Sequence, residues 1–225
     1  MKTFMKTSLL YTLRNMRRLT LAVAFIPMTV TYFLPFLTKA IYPICEGGTQ
    51  PIDAQILRIC TIFAVFCILH FYFYRSLISN TLKDVQIQRR AWIFLGIWIA
   101  INVLEFFAKT YFPFIHIEPS ITNYLFAPSA IIKQISLLLF FFLLLQNTTS
   151  RYRTAYIFAN IANVIIVAQV VIKLYITLFQ PSYLPTWHMY TSLPFSFLNV
   201  LFNWIFYYKL YKACKKEELM LTKES

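Results

Sequence analysis

Arg89-Arg90-Ala91-Trp92-Ile93-Phe94-Leu95-Gly96-Ile97-Trp98-Ile99-Ala100-Ile101-Asn102-Val103-Leu104-Glu105-Phe106-Phe107-Ala108-Lys109 decides the fold of this chain. Between the basic pair and the lysine lies one apolar run, Ala91–Ala108. Its length is near the ~20 residues that a helix needs to cross the hydrocarbon of a bilayer. Trp98, Asn102, Glu105 and Lys109 follow at spacings of four, three and four, so the polar groups of the run share one helical face.

The same pattern recurs in both directions. Leu19–Tyr42 and Ile56–Ser79 precede this run, and Leu125–Gln146, Ala155–Phe179 and Leu193–Ala213 follow it, each bounded by charged or turn-forming residues. The expectation is an all-α polytopic membrane protein, a bundle of about six transmembrane helices. Composition agrees. The 225 residues are 59% hydrophobic and 13% charged, where soluble domains carry about 25% charge. One soluble core of this size cannot hide so much apolar surface, so lipid must serve as part of the solvent.

Orientation follows from the basic residues. Lys2, Lys6, Arg14, Arg17 and Arg18, then Arg75, Lys83, Arg89 and Arg90, then Arg151 and Arg153, then Lys209, Lys212, Lys215, Lys216 and Lys223 fall at one set of helix ends. Only Lys39, Arg58 and Lys109 fall at the other. By the positive-inside rule both termini are cytoplasmic, N-in/C-in. The chain then divides into a basic cytoplasmic segment (residues 1–18), a six-helix transmembrane domain (19–213) and a cytoplasmic tail (214–225). The apolar stretch after Arg18 is too long for a cleaved signal peptide, so it reads as the first span. Met5, Leu9, Leu13 and Met16 share a face that suits a short interfacial helix. The net charge of +13 is topogenic and attracts anionic lipid, and no nucleic-acid partner is expected. The sequon Asn147-Thr148-Thr149 faces the cytoplasm in this topology and stays unmodified.

Polar residues inside apolar spans are costly and usually face the bundle interior. Besides Asn102 and Glu105, the spans hold Ser129, Lys133 and Ser136, then Gln169 and Lys173, then Ser196, Asn199 and Asn203. Counted from the outer span ends at ~1.5 Å per residue, Asn102, Lys133, Lys173 and Asn199 lie roughly 10 Å deep, with Glu105 shallower. If the four stripes face one another, they form a polar layer in the outer half of the bilayer. Glu105 is the only acid within an apolar span, and Lys133 or Lys173 is its natural partner. One carboxylate against two ammoniums leaves room for an anionic headgroup or small anion. The simpler reading makes Glu105 and Lys133 a structural ion pair, lets Lys173 snorkel, and makes the amides interhelical glue.

No catalytic residue, cofactor or metal ligand is indicated. Cys45, Cys60, Cys67 and Cys214 form no CxxC pair, although Cys45 and Cys60 can meet on an oxidising outer side. His70, His116 and His188 make no HxxxH or HExxH spacing, and GxSxG is absent. Gly47, Gly48 and Gly96 are the only glycines and Pro27 is the only proline deep in an apolar segment. That scarcity removes GxxxG contacts and counts against a carrier that unwinds helices at the midplane.

Three functions stay open. The first is a non-enzymatic membrane-embedded binding or accessory component that recognises a lipid or a membrane protein partner. The second is a transporter, channel or permease subunit using the outer polar layer, with a separate ATPase as partner because the chain has no P-loop. The third is a lipid-modifying enzyme using His116 or His188. Short loops and compactness point to a bacterial inner (plasma) membrane.

Overall fold

The computed structural model describes residues 8–26, 52–111, 119–179 and 184–223. Among them every regular element is a helix: α1 (8–26), α2 (Ile52–Thr81), α3 (Val85–Tyr111), α4 (Pro119–Asn147), α5 (Ser150–Phe179) and α6 (Leu184–Lys223). Four helices contain stretches long and apolar enough to cross a membrane, namely Arg58–Thr81, Val85–Ala108, Pro128–Asn147 and Ser150–Ile176. These helices suit an integral membrane location by length and composition. The expected first span Leu19–Tyr42 falls mostly outside the described residues, and Met5, Pro27 and Cys45 lie outside them. The expected sixth, Leu193–Ala213, is helical throughout but is not among the four. Asn199, Asn203 and Lys209 interrupt its apolar run.

The turns on the basic side are short. Leu82-Lys83-Asp84 joins α2 to α3, and the Asp84 carboxylate accepts the amide of Gln86 at 2.7 Å and that of Ile87 at 3.4 Å. This is an N-cap that satisfies donors the helix cannot satisfy itself. Gln88 Nε2 donates back to the carbonyl of Leu82 at 2.7 Å. Thr148-Thr149 joins α4 to α5, and Tyr152 N–H donates to the Thr149 carbonyl at 3.1 Å. No helix break marks residue 18 or residue 213, because α1 and α6 run through both positions.

Two compact units emerge. One comprises Met1–Asn80 with Leu210–Ser225, the other Thr81–Lys209. In the second, α3 packs on α4 and α4 on α5. The buried stripe of α3 is Ala91, Leu95, Trp98, Glu105 and Ala108, and that of α4 is Ser136, Leu137, Phe140, Phe141 and Leu144. On α5, Ala155, Ala159 and Ala162 are at most 1% exposed. Alanines spaced by four and three thus give the close helix contact that the scarce glycines cannot. The opposite faces are exposed and apolar: Ile93, Ile97, Leu104 and Phe107 on α3, and Ile132, Ile135, Leu139 and Phe142 on α4. In water such contiguous apolar faces are a liability, whereas in lipid they are the natural exterior.

Aromatic rings mark one level of this unit. Phe206 of α6 meets Phe141 of α4 edge-on with centroids 5.5 Å apart, and lies 6.4 Å from Tyr156 of α5. The Tyr156 and Thr81 hydroxyls share a 2.7 Å hydrogen bond. From this level α4 runs on to Asn147, α5 starts back at Ser150, and α6 continues to Lys209, all toward the same end.

In the other unit α1 meets the last part of α6 through Arg14, Arg17 and Glu218. Leu13, Met16, Thr20 and Val23 form the buried stripe of α1, and Leu210, Ala213 and Cys214 are buried on α6. Leu9 is 44% exposed, so the expected apolar face of α1 holds at Leu13 and Met16 and not at Leu9. Arg14 Nε and Arg17 Nη1 lie 2.9 and 2.6 Å from the two Glu218 carboxylate oxygens. Asn80 Nδ2, at the end of α2, donates to Ser76 Oγ at 3.1 Å and contacts Met16 Sδ at 3.3 Å.

Candidate functional site

Glu105 and Lys133 meet across the α3–α4 interface. Lys133 Nζ donates to Glu105 Oε2 at 2.6 Å, and Ser129 Oγ donates to Oε1 at 3.3 Å. Their side chains are 13% and 9% exposed for lysine and glutamate. Glu105 is buried and Lys133 half-buried, while the residue before each in the chain is exposed, Leu104 at 63% and Ile132 at 53%. Lipid-facing surface therefore begins one residue away from each partner. A short ionic hydrogen bond in a medium poor in water is strong, but the desolvation it offsets is of similar size. The pair is stable only as a pair.

The polar side chains between α5 and α6 are amides and a serine. Asn199 Nδ2 crosses to the Ala162 carbonyl at 3.0 Å, and Asn203 Nδ2 donates to both Asn199 oxygens at 3.0 Å. Gln169 Nε2 reaches Ser196 Oγ at 3.5 Å. Asn102 bonds within its own helix, to the Trp98 carbonyl at 2.7 Å. Lys173 is exposed on α5. Measured from the ring level at ~1.5 Å per residue, Asn199 lies ~10 Å out, Lys133 ~12 Å, Ser196 ~15 Å and Gln169 ~20 Å. Of the seven residues singled out from sequence, Glu105 and Lys133 are in contact, as are Asn199 and Asn203, while Gln169 is held by Ser196 and Asn102 by its own backbone.

Three polar residues of the interior had escaped notice. Asn163 is buried and donates to the Ala159 carbonyl at 2.7 Å, and Asn160 donates to that of Tyr156 at 2.8 Å. Asn160 Oδ1 and Gln134 Oε1 are buried without a hydrogen-bond donor among the described residues. Tyr156, Asn160 and Asn163 share one helical face in the sequence, but no charged residue within the span marks that face.

His70 is buried on α2, where its Nδ1–H donates to the Phe66 carbonyl at 2.8 Å and its ring lies 3.9 Å from that of Phe66. His116 lies outside the described residues, as does the side chain of His188. Cys60 is a free thiol, and its expected partner Cys45 lies outside the described residues. Among the described residues no three His, Cys, Asp or Glu side chains converge as a metal site would require. Comparison with family models, curated proteins and solved structures returns no match to this chain.

Proposed function

We propose that this chain is a non-enzymatic, membrane-embedded binding or accessory component, with six spans, both termini cytoplasmic, in a bacterial inner membrane. The observation that carries the reading is the closed Glu105–Lys133 pair. A charge kept for a moving solute needs an open approach, whereas this carboxylate is held by Lys133 and Ser129 inside a helix interface. Most neighbouring amides are likewise bonded to backbone carbonyls, which favours a packed bundle over an aqueous path. The gathering of basic ends within each unit supports the orientation. Its partners on this reading are anionic lipid and a membrane protein that the basic inner ends can meet.

The transporter, channel or permease-subunit reading, with a separate ATPase, draws on a different observation. Gln134 Oε1 and Asn160 Oδ1 are buried acceptors without donors among the described residues, and a solute or a file of water would satisfy them. Reconstitution of the full chain in proteoliposomes separates the two. The binding reading expects ion and small-anion flux equal to that of protein-free vesicles. Flux that depends on the protein and disappears in Asn160→Leu would replace it with the transport reading.

A further inference from the structure

Lysine 133 carries three N–H donors, and among the described residues it gives one of them to Glu105 and none to any other group. The carboxylate is differently placed, because both its oxygens already accept hydrogen bonds, one from Lys133 and one from Ser129. The ammonium therefore keeps donor valence to spare. Donors left without acceptors in hydrocarbon are costly. The lysine side chain is not sealed, being 13% exposed, and the residues that precede the pair in each helix, Leu104 and Ile132, belong to the apolar exterior.

Depth narrows the choice of acceptor. Lys133 stands eight residues inside the apolar run Leu125–Gln146, or ~12 Å along the helix. A lysine stem spans part of that distance toward the headgroups. An acceptor there that brings its own apolar body is a phospholipid, whose phosphodiester oxygens sit at the headgroup level while its acyl chains cover Leu104 and Ile132. Resting on the binding reading above, we infer that Lys133 is a phospholipid site of the outer leaflet. Its two free N–H groups take phosphate oxygens, and Glu105 holds the ammonium in place as a positioning residue.

The test is thermal unfolding of the purified full chain in nonionic detergent with three additives: phosphatidylglycerol, diacylglycerol of the same acyl chains, and inorganic phosphate. Phosphatidylglycerol should raise the unfolding temperature of the wild type well beyond the effect of diacylglycerol, and inorganic phosphate should do little. Lys133→Arg, which keeps donors at the same place, should retain the response. Lys133→Met removes the donors but strands Glu105, so the deciding variant is Glu105→Met/Lys133→Met, which removes both charges and keeps the packing volume. It should fold and bind phosphatidylglycerol roughly tenfold or more weakly, as loss of a charged hydrogen bond implies. An undiminished response in the double variant overturns the inference, as does equal stabilisation by diacylglycerol. Equal stabilisation by inorganic phosphate also overturns it, by assigning the ammonium to a free anion. None of these results alters the flux assay, so a non-transporting chain that holds no phospholipid leaves the binding reading standing without this site.

Discussion

Two of the contacts between opposite charges among the described residues differ in what surrounds them. At the α3–α4 interface Lys133 meets Glu105 with both side chains almost enclosed and apolar surface one residue away. In the α1–α6 pair Arg14 and Arg17 grip Glu218, whose side chain is 12% exposed, but the two cations lie open to solvent, Arg14 at 52% and Arg17 at 29%. The N–O distances are alike. In water a mobile solvent can replace either partner, so the surface contact is nearly neutral in free energy. In hydrocarbon nothing replaces a lost partner, and the remaining charge stays uncompensated. Geometry alone does not rank these contacts, and the surroundings do.

Breaking one partner in each place should expose that contrast. The largest effect is expected for Lys133→Met, which leaves Glu105 buried without its cation and should cost ~3–5 kcal/mol. The readout is membrane accumulation together with the unfolding midpoint. A change as small as that of a surface pair would show that Glu105 is already hydrated and the interface open. Ala159→Leu sharpens the comparison from the side of packing. Ala159 is 1% exposed in the α5 stripe, and forcing a larger side chain there should cost ~1–3 kcal/mol without touching any charge. Together the two variants tell loss of charge balance from simple disruption of the helix contact. The smallest effect belongs to Arg14→Gln, where the lost cation is 52% exposed and Arg17 still holds Glu218, expected at no more than ~1 kcal/mol and fading as salt is raised. A large, salt-insensitive loss would mean that α1 and α6 depend on this contact far more than its exposure implies.

The two regions were not equally legible in the sequence. The helical character of the apolar runs, and the polar faces of α3 and α4, follow from periodicity, because a helix displays residues three and four apart together. Lys133 was one of two candidate partners for Glu105, and only the α3–α4 register separates it from Lys173, which lies exposed on α5. The Arg14–Arg17–Glu218 contact could not be read at all, since it joins residues 204 and 201 positions apart in the chain and depends on how α1 meets α6. The scarcity of glycine suggested that close helix contacts were lacking, yet Ala155, Ala159 and Ala162 provide one. Alanine is common in every kind of helix, so its spacing carries meaning only once a neighbouring helix is known to lie on that face. The length of α6 was hidden for a related reason. Polarity changes near Ala213, but Lys215 to Lys223 continue with good helix-forming residues and the helix does not stop.

The central claim is that the Glu105–Lys133 pair closes the helix interface as a balanced unit, and exchange of its charges tests it most directly. Glu105→Lys, Lys133→Glu and the double exchange would each be scored for membrane accumulation and thermal unfolding. The account predicts that each single reversal destabilises strongly and that the double exchange recovers most of the loss. Single reversals that accumulate and unfold like the wild type, or a double exchange no better than either, would contradict it.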